Sequence, residues 1–201
     1  KDLITREFDG IIVSDIRMPG RDGFHLLDYA HEVDPELPVV LLTAANNLGY
    51  FGPYEAELRS GHFFQGCIAG RYGLGIESNG DIKGCPSLPS EPYIGGNVRE
   101  ASLADIWEHR EELRFARDRT EDELWGHCKG CYYASVCRGG CSWTAHTLLG
   151  RRGNMPYCYH RADMLRAKGI REVVRPAEAA PGRPFDFGRF ELSEEPFADS
   201  H

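Results

Sequence analysis

"CKGCYYASVCRGGC", residues 128–141, places four thiols within fourteen residues at the spacing C-x2-C-x5-C-x3-C. Working outward, the chain of 201 residues adds Cys67, Cys85 and Cys158, so all seven cysteines fall between 67 and 158. Three chemistries compete for them. Disulfides fit poorly: the number is odd, the four central thiols crowd together, and the opening "KDLITREFDG" lacks the apolar stretch of a secretion signal. Structural zinc stays open, because C-x2-C is a frequent zinc half-site and His127, His146 and His160 are available. Iron–sulfur clusters are held almost exclusively by thiolates, and seven thiolates nearly fill two four-iron cubanes.

The residues between the thiols carry local signals. Cys67 and Cys85 flank "GLGIESNGDIKG", which predicts two short strands joined by a two-residue turn at Asn79-Gly80 and gives the interval C-x12-G-x4-C. Ser102 predicts a helix N-cap, with Leu103, Ile106, Trp107 and Arg110 on one face and Leu113 and Arg114 next along it. Thr120 and Glu123 stand at capping-box spacing and predict a short turn leading to Cys128. Trp107 and Trp125 are expected to pack in the core.

The whole pattern, from C-x12-G-x4-C through the central four thiols to a last cysteine after sixteen residues, resembles the seven-cysteine SPASM domain. That domain is the auxiliary-cluster module of radical SAM peptide and protein maturases. The words "NNLGYFGPYE", "GIESNGDIKGCPSLP", "GNVREASLADIWE" and "LWGHCKGCYYASVCRGGC" match as well, and the likeness covers about residues 46 to 165. It implies two [4Fe-4S] clusters, one held by Cys67, Cys85 and Cys141 and the other by Cys128, Cys131, Cys137 and Cys158. Family members that add an eighth cysteine place it six residues from the first, where this chain has Gly61 and Gly73. Radical SAM catalysis also needs a C-x3-C-x2-C loop, and no such triplet occurs in this sequence. The chain alone is therefore expected not to be an enzyme, but to relay electrons or to dock a peptide or protein substrate beside a radical SAM core.

The first forty-five residues are of another kind. "FDGIIVSD", "DGFHLLDYAHEV" and "LPVVLLTA" read as strand, helix and strand. "SDIRMPGRDG" resembles the middle of a response-regulator receiver domain. The resemblance implies Asp15 as phosphoacceptor, with Mg²⁺ beside it, and Thr43 as the switch residue. The family's acidic pair and essential lysine have no counterpart at the matching places; Lys83 and Lys129 lie among the cysteines.

Together these readings give an α+β chain. Residues 1–45 form a β-α-β, receiver-like (flavodoxin-like) fragment, and 46–66 connect it onward. Residues 67–168 form a small cysteine-rich SPASM-type domain, a β-hairpin and short helices around two metal clusters. Residues 169–201, rich in Pro, Ala and acidic residues, are expected to be a disordered tail. A first residue of Lys predicts a fragment or trimmed product. With 41% hydrophobic and 27% charged residues, global disorder is excluded. A net charge of −8 without a basic tract argues against nucleic acid and anionic membranes, and the apolar runs are too short to span a bilayer. The expected location is the cytoplasm. Two other functions compete with the cluster module: a phosphorelay protein acting through Asp15, and a structural zinc-binding interaction domain.

Overall fold

The computed structural model describes residues 4–5, 8, 10–15, 23–42, 49, 52–59, 61–182 and 186–197. The chain divides into two compact units, residues 1–45 with 53–62, and residues 46–52 with 63–201. The expected 46–66 connection is thus shared between them.

In the first unit, β1 (Ile12–Asp15) and β2 (Val39–Leu42) pair in parallel from Ile12↔Val39 to Asp15↔Leu42. Parallel neighbours need a crossover, and α1 (Gly23–Val33) supplies it. Ala30 and Leu37 are buried. The unit also holds the single turn α2 (Glu55–Leu58), where Arg59 pairs with Glu55 at 2.8 Å. Asp15 closes β1; Thr43 lies outside the described residues.

The second unit begins with a three-stranded antiparallel sheet, ordered β3 (Gly75–Ile76), β4 (Asp81–Lys83), β5 (Ile94–Asn97). Its first turn is not the expected two-residue one. Glu77 and Asp81 face each other across Ser78-Asn79-Gly80, with the Glu77 N–H donating to the Asp81 carbonyl at 2.8 Å. The Asn79 side chain explains the extra residue. It accepts from the Asp81 N–H and donates to the Asp81 carboxylate, which closes a local ring that a tighter turn would break. Gly80 sits at φ +94°, and a Cβ there would meet Asn97 Oδ1 at 2.8 Å.

Ile82, Ile106 and Leu113 are fully buried together beside Trp107. Helix α3 (Leu103–His109) starts as expected, with Ser102 Oγ accepting from the Asp105 N–H at 3.1 Å. The expected continuous face breaks at Arg110, which is extended, before α4 (Glu111–Arg114). The break brings Leu113 down on Gly95, where a Cβ would stand 2.1 Å from Leu113 Cδ1. The Thr120–Glu123 capping box forms around a 3₁₀ turn at Glu121–Glu123, and a second such turn follows at Gly126–Cys128. Three helices complete the cysteine region: α5 (Ala134–Cys137), α6 (Ser142–Leu149) and α7 (Tyr159–Arg166).

The expected disordered tail is corrected. β6 (Ile170–Glu178) and β7 (Arg189–Pro196) form an antiparallel ribbon in register from Ile170↔Pro196 to Glu178↔Arg189. The acidic residues that suggested disorder are matched by arginines. Arg171 and Arg175 reach Glu195 across the strands, and Arg189 reaches Glu178. The ribbon is also anchored at its base, where Glu172 receives the Arg161 guanidinium through two bonds of 2.5 Å. Among the described residues no helix is long and apolar enough to cross a membrane.

Candidate metal centre

All seven cysteines are free thiols, and they fall into two groups. Cys128, Cys131, Cys137 and Cys158 line one small enclosed cavity of about 20 Å³, whose wall is apolar. Short elements aim them there. Cys128 ends the second 3₁₀ turn, Cys137 ends α5, and Cys158 is the N-cap of α7. Gly49 buttresses the last of these by bridging to Cys158, its N–H donating to the Tyr157 carbonyl at 2.8 Å.

Burial dominates the electrostatics of this group. It pushes the Cys128 thiol up to about 11, against the Met155 N–H that faces the sulfur. It pushes Cys137 up to about 12, with Cys158 and Cys128 adding to the rise. Cys158 is raised by burial too, opposed by the Arg161 and His160 N–H groups at the start of α7. Without a cation these thiols keep their protons; a bound metal supplies the charge that makes them thiolates.

His127 and His160 line the same cavity. Burial, then Arg161, lowers the His127 pKa, while the His160 ring packs edge-on against Tyr133 at 4.9 Å. His146, the third histidine weighed for zinc, does not line it and meets the Tyr93 hydroxyl at 2.9 Å. Among the described residues no three His, Cys, Asp or Glu side chains converge closely enough to hold a single ion. The four sulfurs surround a space. That donor set, sulfur around an apolar pocket, fits a sulfur-ligated cluster.

The second group is Cys67, Cys85 and Cys141. Cys67 is buried in a core with Leu88, Tyr93 and Phe115, and Cys85 packs against the same core. Cys141 is buried and interacts electrostatically with Cys67. Burial raises its thiol pKa, opposed by the Thr144 N–H and hydroxyl and the Trp143 N–H, since Cys141 is the N-cap of α6. A thiolate at that end of a helix is favoured by the peptide dipoles. The loop that carries Cys85 is tied to the sheet by Lys83, which is fully buried. Its ammonium donates to the Leu88 carbonyl at 2.6 Å and pairs with Glu77 at 2.5 Å, and Ser90 donates to the same carboxylate.

Only three residues separate the two groups, and all three are left-handed: Arg138 at φ 50°, Gly139 at 76° and Gly140 at 73°. This turn is why Cys137 and Cys141 serve different surroundings. Gly140 leaves no room for a Cβ, which would stand 2.6 Å from Met155 Cβ. Met155 lies between the groups, its backbone N–H toward Cys128 and its thioether accepting the Cys141 N–H at 3.2 Å. Sequence reasoning missed Met155, Arg119 and Arg161. None stands at a motif spacing, and an isolated Met or Arg carries no signal of what it will face.

Residues 67–132 match the family model of SPASM, described as an iron-sulfur cluster-binding domain. This stretch is a SPASM domain. Three relatives bracket the chain. The AdoMet-dependent heme synthase of Methanosarcina barkeri is 36% identical over 98 residues, 48% of this chain and 26% of that protein. The mycofactocin maturase MftC of Mycolicibacterium smegmatis is 33% identical over 76 residues, 37% and 19% of the two chains. The C4-dicarboxylate transport transcriptional regulatory protein DctD of Pseudomonas aeruginosa is 55% identical over 38 residues, 19% of this chain and 8% of that one. The chain thus spans about a quarter or less of the length of these relatives. It joins a SPASM domain like that of radical SAM enzymes to an N-terminal part similar to a response-regulator receiver. The SPASM match ends before Cys137, Cys141 and Cys158; Cys137 and Cys158 line the same cavity as Cys128 and Cys131, and Cys141 lies near Cys67.

Proposed function

We propose that the chain is an auxiliary iron–sulfur module holding two [4Fe-4S] clusters, one on Cys128, Cys131, Cys137 and Cys158 and one on Cys67, Cys85 and Cys141. The observation that carries this reading is the gathering of four thiols around one enclosed apolar cavity. Bound clusters supply one-electron transfer, or an iron with an open position, within a larger radical SAM maturase. The chain's own residues bind and shield. Met155 and Gly140 close the space between the thiol groups, and Lys83 fixes the loop of Cys85. The N–H groups that begin α6 and α7 face the Cys141 and Cys158 sulfurs. The proposed partners are a radical SAM core and a peptide or protein substrate, and the proposed location is the cytoplasm.

Anaerobic purification with iron and sulfide assays tests the reading, which expects about eight irons and as many sulfides per chain. Zinc with negligible sulfide would overturn it in favour of a structural zinc domain.

A second reading attaches to the N-terminal part. The similarity to DctD, and the position of Asp15 at the carboxyl end of a parallel strand, favour phosphoacceptor chemistry there. The expected labelling is weak, because Lys83 is engaged by Glu77 and cannot serve as the receiver lysine. Acetyl phosphate with Mg²⁺, followed by intact mass of wild type and Asp15→Asn, decides it. A stoichiometric adduct lost in the variant would establish the phosphorelay.

A further inference from the structure

Two arginines of the second unit are buried almost completely, and they are balanced differently. Arg161, 2% exposed, has a carboxylate: Glu172 takes its guanidinium through two bonds, and Asn154 and Met155 take the remaining face. Arg119, 4% exposed, has none. Its Nη1 donates to the Arg138 carbonyl and its Nη2 to Ser142 Oγ, each at 2.9 Å. These satisfy hydrogen-bonding groups and leave the charge unanswered. Among the described residues no carboxylate reaches ion-pairing distance of it; Glu123 acts on it only from further away. Arg152, stacked on Phe115 at 4.4 Å, adds a like charge to the same region.

A guanidinium taken out of water without an opposite charge is strongly destabilising, so a fold that buries one has an anion for it. Cys67 is such a group: as a thiolate it would favour the charged guanidinium. The two bonds of Arg119 also grip the chain on both sides of Cys141, at residue 138 before it and residue 142 after it. We infer that Arg119 is the buried counter-charge of the site formed by Cys67, Cys85 and Cys141. The inference rests on the cluster reading above. A four-iron core with two positive charges on three thiolates carries one net negative charge, the one that Arg119 lacks. Arg119 is a positioning residue; it touches no reacting atom. With its charge beside the cluster, the added electron of the reduced state is stabilised.

The test uses the holoprotein, titrated with dithionite as the electron donor and followed by EPR. Cys85→Ala identifies which signal belongs to the Cys67 site. In Arg119→Gln that signal is expected only at a more negative potential, with the midpoint of the other site unmoved. In Arg119→Lys, which keeps the charge and loses the fork, the midpoint is expected to stay at the wild-type value. An Arg119→Gln protein with full iron and an unshifted midpoint overturns the inference. If Arg119→Gln does not retain the site, Arg119→Lys decides: retained iron with an unshifted midpoint supports the counter-charge, and loss of the site overturns it. Wild-type protein free of iron and sulfide fails the cluster reading itself, whereas two clusters insensitive to Arg119 fail only this inference.

Discussion

At Gly140 a single hydrogen in place of a methyl group decides whether the chain can turn between the two thiol groups. Gly140→Ala would combine a left-handed alanine with a Cβ pressed against Met155, and it is expected to cost about 2–4 kcal/mol of stability. Gly130 has a similar φ of 79° but open space around it, so Gly130→Ala should cost only about 1 kcal/mol. Chemical denaturation of the two variants side by side measures the difference, and equal costs would remove steric closure from the account. His146 gives a pH dependence. Burial first, and then Arg152, holds its pKa below the ordinary 6.5. The unfolded chain then binds a proton at a higher pH than the folded one. Its contribution to stability is full above about pH 6.5 and declines as pH falls toward the folded pKa. Denaturation midpoints at pH 8 and pH 6 should therefore differ less in His146→Gln than in the wild type.

The elements show where sequence signals were strong and where they failed. Ser102, Thr120 and Glu123 marked their turns correctly because a cap is a local hydrogen bond between near neighbours. The turn at Gly80 was misjudged by one residue, since its length is set by the Asn79–Asp81 contacts and not by the Asn-Gly pair alone. The β6–β7 ribbon was not legible at all. Its strands hold Pro, Ala and Glu, and what orders them is long-range: Arg161 on α7, buried and bonded to Glu172. Removing that carboxylate leaves a buried guanidinium alone, so Glu172→Ala is expected to cost about 3 kcal/mol or more. It should also release the ribbon. Hydrogen exchange across residues 170–196 reads this directly, and unchanged protection would show that the cross-strand pairs alone suffice.

On the scale of the whole molecule, the four cysteines that the family resemblance implies as one set, Cys128, Cys131, Cys137 and Cys158, line one cavity. What surrounds the thiols was hidden, because the roles of Arg119, Met155 and Arg161 depend on loops that meet only in three dimensions. The two parts of the second unit should also respond differently to loss of metal. Ile82, Ile106 and Leu113 form a fully buried apolar core, whereas α5 is a single turn between thiols. Anaerobic chelation is expected to speed hydrogen exchange across residues 126–141 and 154–160, and to leave β4 and α3 largely protected. Uniform protection after chelation would deny the metal any structural part.

The order of the thiols along the chain has one more consequence. Cys67 and Cys85 belong to one group, Cys128, Cys131 and Cys137 to the other, Cys141 to the first again and Cys158 to the second. The two sets are interlaced, like two threads crossing before either is tied off. A cut anywhere between residues 85 and 158 leaves at least one set divided. No single cut therefore yields two pieces that each keep a whole set, and a cut between residues 128 and 141 divides both.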